Sequence, residues 1–165
     1  MKALRYIIPS VALVLLTAAA GHAVDAKAVV LRNVTKSMPE GWYIRNPLGQ
    51  PAPGSVIAFR PPAIALVHGW PADVPLLKRV AAAGGDKVCS DGKTMAVNDT
   101  WRGPVMLRLP NGRPLPVWIG CQVLRFDQVL PIATGLPDSF DGRAYGPIST
   151  ADILGVFVPV WTEGE

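Results

Sequence analysis

Histidine and cysteine are almost absent from this 165-residue chain, which has two of each: His22, His68, Cys89 and Cys121. A tetrahedral zinc centre draws its ligands from such side chains, so no metal is expected and no cofactor is implied. Ser-His catalysis is left with His68, because His22 lies in an N-terminal apolar segment. Placed between Val67 and Gly69-Trp70, His68 reads as an ordinary structural or surface histidine. Charged residues are sparse at 17%, and the net charge of +4 is spread over isolated Lys and Arg, with no basic run and no interleaved aromatic platform. Nucleic acid is therefore not an expected partner, while a weakly cationic surface suits a domain resting on an anionic bilayer. Long apolar runs are lacking too. Residues 7–20 are apolar apart from Pro9, Ser10 and Thr17, which falls short of the roughly 20 residues that span a bilayer comfortably.

That short run is still an export segment. Lys2 and Arg5 precede it, and Gly21-His22-Ala23 gives the small-x-small pattern of a cleavage site. Residues 1–25 thus read as a signal peptide or a membrane anchor, both open, and residues 26–165 as one domain on the periplasmic or extracellular side. In that compartment a disulfide is permitted, and Cys89 and Cys121 are its candidate pair; bridged and free states both stay open.

What the chain has in plenty is proline and glycine, 17 and 16 residues. Both interrupt helices, so the expected fold is mainly β. Apolar pieces bounded by turn residues recur at 42–44, 55–59, 87–89, 95–97, 105–107, 116–119 and 128–132, with Asn111-Gly112 as a hairpin turn. Residues 153–161 read as a final buried strand. Lys78, flanked by Leu77 and Val80, falls within another such run, where burial of the amine lowers its pKa. Ser37 is followed by Pro39 and Gly41 and therefore sits in an irregular segment open to solvent or substrate.

A serine hydroxyl needs a neighbouring base to act as a nucleophile, and a neutral lysine serves where histidine is missing. Three elements occur in order: Ser37-Met38-Pro39 after the apolar segment, Leu77-Lys78-Arg79-Val80 leading into Gly84-Gly85-Asp86, and Ser139-Phe140-Asp141-Gly142-Arg143 before the last strand. At these residues the chain resembles the type I signal peptidase family, most closely its conjugative-transfer, TraF-type branch. The resemblance runs from about residue 30 to Trp161. It implies a coiled antiparallel β-sheet catalytic domain with an N-terminal hydrophobic segment, and a Ser-Lys dyad beside the bilayer.

Carried over residue by residue, the resemblance makes Ser37 the nucleophile and Lys78 the general base. Thr35 becomes a hydroxyl donor to the oxyanion, and Ser139 the serine that bonds and orients the lysine amine. Asp141 and Arg143 become bracing residues. An Asp141 carboxylate set against the amine would raise its pKa, so pairing with Arg143 is its better role. The substrate implied is an exported precursor, foremost a conjugative pilin, with ring closure of the product as an extension. The partners implied are the lipid surface and components of a conjugative (type IV secretion) channel. A non-catalytic periplasmic assembly factor and a general signal peptidase are the rival readings. Residues 133–137 replace the usual Gly-Asp-Asn stretch of the housekeeping enzymes, which favours the transfer branch.

Overall fold

The computed structural model describes residues 29–163 apart from 110, 116 and 138. The export segment, and the domain boundary after residue 25, lie outside the described residues. The fold is mainly β, as composition and punctuation lead one to expect. A seven-stranded antiparallel sheet has the order β1-β2-β11-β3-β4-β9-β10, and a four-stranded one the order β7-β6-β5-β8. The larger sheet comprises β1 (Val30–Asn33), β2 (Gly41–Asn46), β3 (Val56–Phe59), β4 (Leu76–Ala83), β9 (Gln128–Ile132), β10 (Ile148–Ser149) and β11 (Ile153–Thr162). The smaller comprises β5 (Lys87–Ser90), β6 (Thr94–Val97), β7 (Thr100–Pro104) and β8 (Gly120–Val123).

The smaller sheet is inserted between two neighbours of the larger one. Strand β4 runs through Gly84-Gly85 into β5, β8 runs back into β9, and Gly85 N–H donates to the Leu124 carbonyl at the bend. Gly85 sits there at φ 96°, a left-handed conformation that side chains disfavour. Two short helices, α1 (Ala63–Val67) and α2 (Gly142–Tyr145), fill connections of the larger sheet.

Strand β4 is covered on both faces. Leu76 and Val80 join Ile57, Phe59 and Val129 in one cluster, while Leu77 joins Met38, Tyr43 and Phe157 in another. Alternate residues of a strand point to opposite faces, so this apolar run closes water out around Lys78.

Two expectations need correction. Residues 153–161 form a strand, but Val156 and Phe157 are its buried part; Val158, Val160 and Trp161 are exposed. Strand β3 ends its pairing opposite Phe157, and beyond that point β11 runs alongside β2 only, outside the core. Of the expected pieces 105–107 and 116–119, the described residues 105–107 and 117–119 are not strands either; among the described residues a single bridge, Arg108 to Pro114, joins the loop around Asn111-Gly112. Prolines at 104, 110, 114 and 116 remove the donors a ladder needs. The strands here, β7 and β8, lie just outside those pieces.

Candidate active site

Ser37 stands in the loop that joins β1 to β2, and two approaches fix that loop. Thr134 and Gly135 both donate backbone N–H groups to the Ser37 carbonyl at 3.1 Å. Gly135 comes so close that a Cβ there would lie 2.1 Å from the Lys36 carbonyl oxygen, so only glycine fits. Met38 beside it is buried in the cluster with Leu77. Ser37 itself is 7% exposed, less open than its turn setting suggests, and its side chain faces a cavity of about 560 Å³. Leu31, Ala65, Trp70, Leu77 and Phe140 make that cavity largely apolar.

Lys78 projects into the same cavity from β4. Its amine donates to Ser37 Oγ at 2.8 Å and to the Leu77 carbonyl at 3.1 Å. Burial pushes the Lys78 pKa down from 10.5 to about 8; Asp141 opposes the shift and Arg143 adds to it. Desolvation wins because the carboxylate is neutralised elsewhere. Asp141 Oδ1 accepts from Arg143 Nε at 2.9 Å, and Oδ2 accepts from Arg143 Nη2 at 2.7 Å.

That ion pair is wholly inside the protein, with Asp141 at 0% and Arg143 at 2% exposure. Asp141 Oδ2 also accepts from Ala133 N–H, and Arg143 donates to the Leu136 and Pro137 carbonyls. The pair therefore braces residues 133–137, the segment that grips the Ser37 carbonyl.

Thr35 Oγ1 lies 3.0 Å from Ser37 Oγ and donates to Asn33 Oδ1 at 2.9 Å. Its one hydrogen is thus engaged in the free protein. Ser139 is buried on the cavity wall, yet the amine's hydrogen bonds go to Ser37 and Leu77 and not to it. His68 also lines the cavity, with Nδ1 buried and unpartnered. Among the described residues no group of His, Cys, Asp and Glu could hold a metal ion. Cys89 and Cys121 are opposed residues of β5 and β8, with Cα atoms 4.0 Å apart and their sulfurs bonded. Asn33, which sequence reasoning missed, is the hub of the Ser37 loop. An Asn two residues before a Thr-x-Ser turn, where Asx turns form, was the available signal.

The family described as signal peptidase, peptidase S26, matches residues 2–162. A plasmid transfer protein TraF of Escherichia coli is 32% identical over 165 residues, covering 90% of this chain and 89% of that protein. A second Escherichia coli TraF is 30% identical over 171 residues, with the same coverage of 90% and 89%. Among solved structures, a signal peptidase I from Enterococcus faecalis V583 superposes with a TM-score of 0.41 at 16% identity, covering 67% of this chain and 98% of that one.

Proposed function

The chain belongs to the signal peptidase family, peptidase S26, in its TraF-type branch, and on that premise we propose that it is a serine endopeptidase working through Ser37 and Lys78. The observation that carries this reading is the 2.8 Å hydrogen bond between Lys78 Nζ and Ser37 Oγ inside an apolar cavity. With a pKa of about 8, about a tenth of the amine is neutral at pH 7, against well under a thousandth for an ordinary lysine.

In the neutral form Lys78 takes the Ser37 proton as Oγ attacks the scissile carbonyl. The backbone N–H of Ser37 serves as the oxyanion donor in this mechanism; Thr35 can join it only by leaving Asn33. Collapse expels the new amine, which takes the proton back from Lys78 and leaves an acyl-enzyme on Ser37. Water then attacks with Lys78 again as base. If a substrate amine attacks instead, the product is a ring, an outcome that an apolar, water-poor cavity favours.

The substrate class is an exported precursor cleaved after a small residue. The relatives' names, plasmid transfer proteins, support a conjugative pilin precursor. Family and relatives support a periplasmic or membrane-associated setting; among the described residues no helix is long and apolar enough to cross a membrane. Docking at the lipid surface is supported by the exposed apolar side chains of β2 and β11.

The test is mass spectrometry of a pilin precursor co-expressed with wild type, Ser37→Ala and Lys78→Ala. Loss of processing in both variants is expected. Intact processing would overturn the dyad and favour an assembly role, and processing of every exported protein would mark a general signal peptidase.

A further inference from the structure

We propose that Asn33 is a positioning residue that sets the direction of the hydrogen-bond chain running through the nucleophile; this rests on the reading of Ser37 and Lys78 as a dyad. Asn33 closes β1 and is 9% exposed. The two hydrogens of its Nδ2 are shared among three carbonyls, those of Thr35 and Met38 at 2.9 Å and of Pro39 at 3.0 Å. Carbonyl oxygens only accept, so the amide can be seated one way round: NH₂ toward those three groups and Oδ1 toward Thr35. There Oδ1 accepts from Thr35 N–H at 3.2 Å and from Thr35 Oγ1 at 2.9 Å.

The rest follows from counting hydrogens. The Thr35 hydroxyl has one hydrogen, and it is spent on Asn33. In its 3.0 Å contact with Ser37, Thr35 must therefore accept and Ser37 donate. Lys78 donates to the same Ser37 oxygen. The resting chain runs in one direction, Lys78 to Ser37 to Thr35 to Asn33. When the amine is neutral, the Ser37 hydrogen swings from Thr35 to Lys78, and the Thr35–Ser37 contact then holds only if Thr35 turns its own hydrogen from Asn33 to Ser37. Asn33 thus acts through Thr35, and the same amide ties down the loop carbonyls on both sides of Ser37.

The probe is acylation of Ser37 by a p-nitrophenyl ester. The Ser37 Oγ–acyl bond forms, the ester C–O bond breaks, nitrophenolate leaves and the Ser37 proton passes to Lys78. Asn33→Asp keeps the shape but turns a carboxylate oxygen toward three carbonyls. Its acylation rate is expected to fall about 100-fold, the scale of a misplaced reacting group. Its pH midpoint is expected to rise, because the new negative charge favours the protonated amine. Thr35→Val is expected to lose a similar factor, with Thr35→Ser restoring the rate, and Asn33→Asp on top of Thr35→Val is expected to add little. The rise in midpoint reports the added charge alone, so the loss in Thr35→Val with its rescue by serine, and the non-additivity of the double variant, are what separate positioning from a purely structural role.

Losses that multiply, or a folded Asn33→Asp that keeps wild-type rate and midpoint, would overturn the assignment. Should Asn33→Asp not fold, the Thr35 pair decides: a folded Thr35→Val acylated at the wild-type rate overturns it, and loss with rescue by serine supports it. Ser37→Ala separates the two levels. If it is still acylated, the dyad reading falls; if it is inert while the Asn33 and Thr35 variants react normally, only the role of Asn33 falls.

Discussion

Ser37 and Lys78 are 41 positions apart in the chain and 2.8 Å apart at Oγ and Nζ, both buried, with the amine's pKa lowered to about 8 by burial. On the proposed mechanism the neutral amine is the reactive form, so the rate of Ser37 acylation is expected to climb with pH and level off above a midpoint near 8. A pH series of the nitrophenolate burst measures it. A midpoint near the ordinary lysine value of 10.5 would mean the amine is not desolvated in solution.

The same shift has a stability consequence of defined sign. Lys78 has a lower pKa folded than unfolded, about 8 against 10.5. Below pH 8 both states hold the proton, and the cost of the buried charge is fully present. Between pH 8 and 10.5 the folded state sheds its proton first, so stability rises with pH. Lys78→Met is expected to be more stable than wild type at pH 7 by up to about 3 kcal/mol, with the gap closing by pH 10.5. Denaturant unfolding at both pH values checks this, and a gap independent of pH contradicts it.

Asp141 and Arg143 push the amine in opposite directions, so removing each one should move the pH–rate midpoint oppositely. Asp141→Asn is expected to lower it and Arg143→Met to raise it. Each variant also breaks a fully buried ion pair, which costs about 3–5 kcal/mol. The pH profile is therefore read at low temperature on protein shown to be folded by circular dichroism. Shifts of the same sign in both variants would show that the pair acts on Lys78 through loop position rather than charge.

The β-rich fold and the Asp141–Arg143 pairing were legible in the sequence because each follows from local rules. Proline and glycine punctuate strands, and a carboxylate two residues from an arginine pairs with it more cheaply than with an amine that must lose charge. Asn33 was legible only as a turn former two residues before Thr35, since a strand-end asparagine looks the same whether its amide faces water or three carbonyls. Gly135 was hidden among other turn residues; what singles it out is the Lys36 carbonyl, 99 positions away and visible only in the fold. The apolar run at 153–161 cannot say which half is covered, because that depends on where β3 stops.

Cys89 and Cys121 tie together β5 and β8, 32 residues apart, and Cys121 is exposed. Closing a loop of that length removes about 3–4 kcal/mol of unfolded-state entropy. The Cys89→Ser, Cys121→Ser double variant is expected to melt at lower temperature yet acylate Ser37 at the wild-type rate, because the dyad and its bracing pair belong to the other sheet and its loops. Thiol titration of the native protein after periplasmic expression should find no free thiol; two would show that the bridge is absent.

The outer face of β1, β2 and β11 carries aligned exposed apolar residues. Val30, Ile44 and Val158 form one cross-strand row, and Arg32, Trp42 and Trp161 the next, with the Arg32 guanidinium 5.7 Å from the Trp42 ring. Tryptophan with a nearby cation suits a headgroup interface, where the ring is half buried in lipid and the charge meets phosphate. Trp101, on β7 of the other sheet, is equally exposed and serves as an internal control. In full-length protein bound to anionic vesicles containing brominated lipid, Trp42 and Trp161 are expected to be quenched and Trp101 spared, read in variants that keep one of the three and replace the other two by phenylalanine. Equal quenching of all three would place the whole surface in the headgroup layer. No quenching of Trp42 or Trp161 would leave this face in water and remove it as the lipid-docking surface.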